Sequence, residues 1–166
     1  MKNIIIYSSK TGNTKKVAEA IYEVIPSVEI LSADEVSHLE YETIIIGGWI
    51  DKGTFDNKAL KILKEIKNKN VAYFFTLGAS IESDHAEYCK KNIEEVIISN
   101  GNKLIGNFVS QGKIDPNLIA GLLNLPEDHK MYPSKERMDR WEAAKEHPNN
   151  QDLERAKDIF YKIFKN

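Results

Sequence analysis

Ser9-Lys10-Thr11-Gly12-Asn13-Thr14 stands between a β-branched run, Asn3 to Tyr7, and a segment with helical periodicity. A turn from a parallel strand into its helix gathers free backbone N–H groups at the positive end of the helix dipole, which is where a phosphate is best held. Ser9, Thr11 and Thr14 add hydroxyl donors. Gly12 permits close backbone approach or a positive φ, and Asn13 tolerates unusual backbone angles. The hexapeptide therefore has the donors to hold a dianion. The plain alternative is a capped helix N-terminus that binds nothing.

Other chemistries are poorly supplied. The loop lacks the G-x-x-x-x-G-K-[ST] of an ATP-binding loop and the G-x-G-x-x-G of a dinucleotide fingerprint. His38, His85, His129 and His147 show no ligand spacing, so no metal site is expected. The single cysteine, Cys89, excludes an internal disulfide and any CxxC pair; it reads as a buried helix residue in a protein of a reducing compartment. With 23 basic and 25 acidic residues mixed along the chain and a net charge of -2, neither a nucleic-acid groove nor a polybasic membrane patch is expected. No apolar run reaches the ~18 residues of a membrane span. The N-terminus runs from Met1-Lys2-Asn3 straight into a strand pattern, so a cytoplasmic location is expected.

The elements that must position the hexapeptide follow from periodicity. A length of 166 residues suits one domain, 1-166, with a sizeable core. Asn3 to Tyr7 is apolar on both faces, as a strand inside a parallel sheet must be. Val17, Ala18, Ala20, Ile21, Val24 and Ile25 form the stripe of a helix that Pro26 closes. Further strands are read at Val28 to Leu31, at Thr43 to Ile46 ending on Gly47-Gly48, at Val71 to Leu77 and at Lys103 to Ser110. Asp34 to Leu39 is weakly helical. Leu60, Leu63 and Ile66 mark one helix; Cys89, Ile93, Val96 and Ile97 mark the next.

Five strands alternating with helices predict a doubly wound α/β domain with a parallel sheet, order 2-1-3-4-5, and helices on both faces. That order puts a switch point beside the first strand, so the loops after the first, third and fourth strands should line a ligand site. The stretch 116-148 exceeds the needs of a crossover and is read as a helical insertion. Asp115-Pro116 starts its first helix and Ser134 caps a second running toward Glu146. Asn150 caps the last helix, with Leu153, Ala156, Phe160, Ile163 and Phe164 on one face.

The residues Ser9 to Thr14 resemble the phosphate loop of the flavodoxin family, [ST]-x-T-G-x-T, matched in full directly after the first strand. The resemblance covers Lys2 to about Ser110 and the last helix, and leaves out the insertion. It implies a flavodoxin-like fold that holds FMN non-covalently, with its phosphate on Ser9, Lys10, Thr11, Gly12, Asn13 and Thr14. In the family a second loop wraps the isoalloxazine ring; here it would be Trp49, Ile50, Asp51, Lys52, Gly53 and Thr54, with Trp49 as the stacking candidate. Many flavodoxins carry an aromatic residue before the loop glycine, whereas Lys52 precedes Gly53. The family also flips a peptide in this loop on reduction, so that a carbonyl accepts from flavin N5–H, and Gly53 would ease that flip. The third loop, Thr76, Leu77, Gly78 and Ala79, would meet the pyrimidine edge through backbone groups. Tyr88 reads as a packing residue, and Gln111-Gly112-Lys113 borders the site only weakly.

The function this implies is an electron-transfer protein passing electrons between a reductase and an acceptor enzyme. Flavodoxins are typically strongly acidic, and -2 offers little long-range steering, although Asp51, Glu82, Asp84 and Asp115 form a local acidic rim. The alternative is an FMN-dependent oxidoreductase of the same fold, protoporphyrinogen dehydrogenase-like or quinone reductase-like. Met131, Tyr132, Met138 and Trp141 of the insertion either cover the flavin pocket or dock the insertion on the domain, the second being the simpler reading. A third class is a flavin- or phosphate-binding module for assembly or sensing, without redox work.

Overall fold

The computed structural model describes residues 2–165. Strands β1 (Asn3–Tyr7), β2 (Val28–Ser32), β3 (Thr43–Asp51), β5 (Asn70–Leu77) and β6 (Lys103–Gln111) form a parallel sheet in the order β2-β1-β3-β5-β6. The five long strands thus take the order predicted for them. A short strand β4 (Thr54–Phe55), which sequence periodicity does not show, pairs antiparallel with the end of β3. Helices are α1 (Asn13–Tyr22), α2 (Asn57–Glu65), α3 (Asp84–Ser99), α4 (Pro116–Leu123), α5 (Lys135–Ala144) and α6 (Asn150–Phe164).

Because successive strand residues face opposite ways, a strand apolar at every position feeds two cores. Ile4, Ile6, Ile44, Ile46, Tyr73 and Phe75 pack under Ala59, Leu63, Cys89 and Ile93 of α2 and α3. Ile5, Ile45, Ala72, Phe74 and Phe108 pack under Val17, Ile21, Ala156 and Phe160 of α1 and α6. The sheet is therefore covered on both faces. Cys89 is buried, and burial raises its thiol pKa. A neutral, enclosed thiol is a packing group rather than a nucleophile.

Several boundaries differ from expectation. α1 ends at Tyr22, so Val24 and Ile25 of its expected stripe lie outside it and Pro26 is not what closes it. β3 does not stop at Gly47-Gly48 but runs on to Asp51, paired to β5 through Trp49 and Thr76. A Cβ at Gly47 would lie 2.0 Å from the Phe74 ring, so this glycine makes room for the neighbouring strand's side chain. The weakly helical piece at Asp34 to Leu39 shrinks to one 3-10 turn, Ala33–Glu35, closed by a capping box with Ser32. The cap of α6 is Asn149, one residue before Asn150. Its Oδ1 accepts from Asp152 N–H at 3.0 Å, and Asp152 Oδ2 accepts from Asn149 N–H at 2.9 Å.

The insertion starts as read. Asp115 caps α4 by accepting from Asn117 N–H, with Pro116 in the first turn, and Ser134 caps α5 by accepting from Arg137 N–H. Its packing is looser than that of the other helices: Tyr132, Met138 and Trp141 are half-buried and Met131 is exposed. No residue of α4 is buried, α5 buries only Ala144, and Met131, Tyr132, Met138 and Trp141 all stay outside the core. Leu118 is 50% and Leu123 43% exposed, so α4 presents apolar side chains outward instead of docking them.

Candidate functional site

The carboxyl ends of β1, β3 and β5 open on one side of the sheet, and β1 lies where the chain reverses direction across it. There the structure forms a cleft of about 470 Å³, within the range of small-molecule sites. Ser9, Lys10, Thr11, Asn13 and Thr14 line one end, Trp49, Ile50 and Asp51 one wall, and Thr76, Leu77 and Gly78 the floor. Three segments distant in sequence are thus brought together.

At the first end, Gly12 has φ +97°, a left-handed conformation that L side chains adopt only under strain. Asn13, by contrast, is already the first residue of α1 and needs no unusual angle. Ser9 Oγ accepts from Gly12 N–H at 3.1 Å and from Lys15 N–H at 3.3 Å, which folds the loop around its own hydroxyl. Among the described residues, the N–H groups of Thr11, Asn13 and Thr14 have no acceptor within the protein. Thr14 Oγ1 and Thr76 Oγ1 meet at 2.9 Å, both residues being buried. Since that contact uses one of the two hydroxyl hydrogens, the other is left for a further acceptor. An anion with several oxygens fits this end on donor count and on dipole.

The wall is anchored by a residue that sequence reasoning missed. Asp56 is buried and its carboxylate accepts from Ser8 Oγ at 2.6 Å, from Trp49 N–H at 3.1 Å and from Ala59 N–H at 3.3 Å. One side chain therefore ties β1, β3 and the start of α2 together. Its signal in the sequence is an Asp directly before an apolar-striped helix.

Some predicted site residues stand elsewhere. Lys52, with φ +52°, and Gly53, with φ +80°, form the two-residue tip of the β3–β4 hairpin, beyond the cleft. Thr54 lies in β4, Gly12 shapes the loop without lining the cleft, and Ala79 lines a neighbouring hollow. A local hairpin absorbs the residues that a long loop would have wrapped around a ligand. Gly53 carbonyl accepts from Asn92 Nδ2 at 2.8 Å, and a Cβ at Gly53 would sit 2.7 Å from the Tyr88 ring. Tyr88 thus lies against the hairpin while its ring remains largely exposed.

The opposite wall comes from the segment after β6: Gly112, Lys113, Ile114, Asp115 and Leu118. Asn13 Nδ2 donates to Lys113 carbonyl at 3.0 Å and so fastens this segment to the first loop. Lys10 reaches across, 3.2 Å from Asp115 Oδ2 and 5.6 Å above the Trp49 ring. The Asn117 N–H, and then Lys10, hold the Asp115 carboxyl below the usual carboxylate range. No group of three or more His, Cys, Asp or Glu side chains among the described residues could hold a metal ion.

The profile of the flavodoxin domain matches residues 4–161. The chain belongs to the flavodoxin family. That span includes the insertion, which the resemblance of the phosphate loop alone left out. The flavodoxin-like domain-containing protein BilS of Clostridioides difficile (strain CD3) is 33% identical, over 94% of this chain and 92% of that one. The protein of the same name from Clostridium symbiosum (strain WAL-14163) is 29% identical, over 92% and 90%. Among solved structures, a flavodoxin from the domain Archaea superposes with a TM-score of 0.63 at 22% identity, covering 99% of this chain and 97% of that one. A flavoprotein of Lactobacillus acidophilus NCFM in complex with FMN gives a TM-score of 0.52 at 21% identity, over 65% and 92%. Within the flavodoxin fold these structures share, the cleft described above occupies the carboxyl edge of the sheet.

Proposed function

We propose that the cleft holds FMN, with the phosphate on the loop Ser9 to Thr14 and the ring system between Trp49 and the Thr76 to Gly78 segment. The observation that carries this is the set of unaccepted N–H groups at Thr11, Asn13 and Thr14 beside the Thr14–Thr76 hydroxyl pair, at one end of a cleft with an aromatic wall. When bound, the flavin supplies the redox chemistry. The residues of this chain bind the phosphate, place the ring and keep one edge accessible. The protein then passes electrons between a reductase and an acceptor enzyme.

The test is fluorescence titration of flavin-free protein with FMN and with riboflavin, which lacks the phosphate. FMN should bind at least about tenfold tighter, since several charge-assisted hydrogen bonds are at stake. Failure to bind either, or equal affinity for both, overturns the reading.

The alternative, an FMN-dependent oxidoreductase, is favoured by one observation: α4 borders the cleft through Leu118 instead of packing on the core. Photoreduction separates the two. Accumulation of one-electron-reduced flavin supports a carrier, and direct two-electron bleaching with fast quinone turnover supports an enzyme.

No helix of the described residues is long and apolar enough to cross a membrane.

A further inference from the structure

A second hollow, of about 330 Å³, adjoins the cleft and shares Ile50, Leu77, Gly78, Ile114 and Leu118 with it. Its outer wall is α5 of the insertion, through Arg137, Arg140 and Trp141, and His85 at the start of α3 faces them. Among the described residues no acidic side chain lines it. Among the described residues neither Arg137 nor Arg140 has a carboxylate within 4.0 Å, although the chain as a whole carries a net charge of -2. The Arg137 guanidinium carbon lies 5.5 Å from the Trp141 ring centroid, within the range of a cation–π contact.

We propose that this hollow is a binding site for a small aromatic or conjugated carboxylate, placed beside the FMN ring. The inference rests on the flavin reading for what lies next door, and on the hollow itself for the ligand. Two unpaired guanidiniums on one helix face suit a carboxylate, which they can grip through paired N–H donors. The floor they stand over is apolar, and Trp141 offers a flat face, so the ligand's body must be apolar and planar. A hydrated inorganic anion would leave that floor unused. The apolar helix α4, otherwise unexplained in a domain that buries its other stripes, becomes the wall of a ligand site.

The experiment is calorimetric titration of the FMN-loaded protein with 2-naphthoate and with 2-naphthamide, its uncharged counterpart. The carboxylate should bind at least about tenfold tighter than the amide. Arg137→Gln combined with Arg140→Gln should abolish that preference while FMN affinity stays at the parent value, which also certifies the fold of the variant. Equal binding of the two probes, a preference that survives the double substitution, or displacement of FMN by naphthoate would each overturn the site. If the chain binds no FMN, the same titrations on flavin-free protein still read the arginines, so failure of the flavin reading is told apart from failure of this one.

Discussion

Thr14 and Thr76 stand 62 positions apart in sequence, yet their hydroxyls meet at 2.9 Å where α1 begins and β5 ends. Both are buried, so removing one hydroxyl leaves the other without a protein partner. Thr14→Val should destabilise the flavin-free protein by about 1–3 kcal/mol, the cost of an unsatisfied buried hydroxyl. Thr14→Val with Thr76→Val should recover part of that loss. Urea unfolding of the parent, both single variants and the double variant checks this, and strictly additive losses would refute it.

Asp115 lines the cleft together with Lys10 and engages it at 3.2 Å. Like any aspartate it is charged at neutral pH, and its lowered pKa extends that charge further into the acid range. The stabilisation this implies is present above the usual carboxylate range and is lost as pH falls through the lowered value. Asp115→Asn keeps a side-chain acceptor for the α4 cap and removes the charge. FMN affinity should then rise roughly two- to fivefold, the scale of an exposed charge pair, with riboflavin unaffected. Titration with both flavins decides the matter.

Gly53 is where the structure changes a family-based expectation. Its carbonyl already accepts from Asn92 Nδ2 and faces α3, so a flip toward the flavin must first break that bond. Asn92→Ala should therefore increase the yield of one-electron-reduced flavin on photoreduction. A yield equal to the parent's would show that this peptide does not respond to the flavin. Gly53→Ala should also cost about 1–2 kcal/mol in stability, because its φ of +80° is strained for any L side chain.

Tyr73 is fully buried and its hydroxyl donates to Glu94 Oε1 at 2.6 Å. Burial first, and the Glu94 contact second, push its pKa far above that of a free tyrosine. The folded state therefore keeps a proton that the unfolded chain loses above about pH 10. Stability from this group is complete below that pH and falls as pH rises beyond it, by about 1.4 kcal/mol per unit. Tyr73→Phe should flatten the decline between about pH 10 and 12. Urea midpoints measured across that range would show it, and an unchanged slope would exclude the effect.

The strand and helix pattern was legible because buried parallel strands such as Asn3–Tyr7 are apolar at every position and the covering helices carry one stripe each. Asp115, Pro116 and Ser134 announced their helices for the same local reason, since a cap satisfies N–H groups within three residues. The extension of β3 past Gly47 was not legible. A glycine in a strand reads as a stop until the Phe74 ring that needs its space is known to be opposite.

What the sequence determined by itself is the order of elements and the loop from Ser9 to Thr14, whose donors depend on neighbours in the chain. Tertiary structure decided the rest of the site. Lys52-Gly53 turned into a hairpin tip because Asp51 pairs with Thr54 and Asn92 holds the turn. Lys113 and Leu118 came to the cleft, and Asp56 to the buried side of its Trp49 wall, because every crossover of a parallel sheet starts at the same edge. The unpaired Arg137 and Arg140 are ordinary surface residues in sequence. Only the fold, by setting α5 over an apolar floor lined by no carboxylate among the described residues, makes them a feature with a consequence.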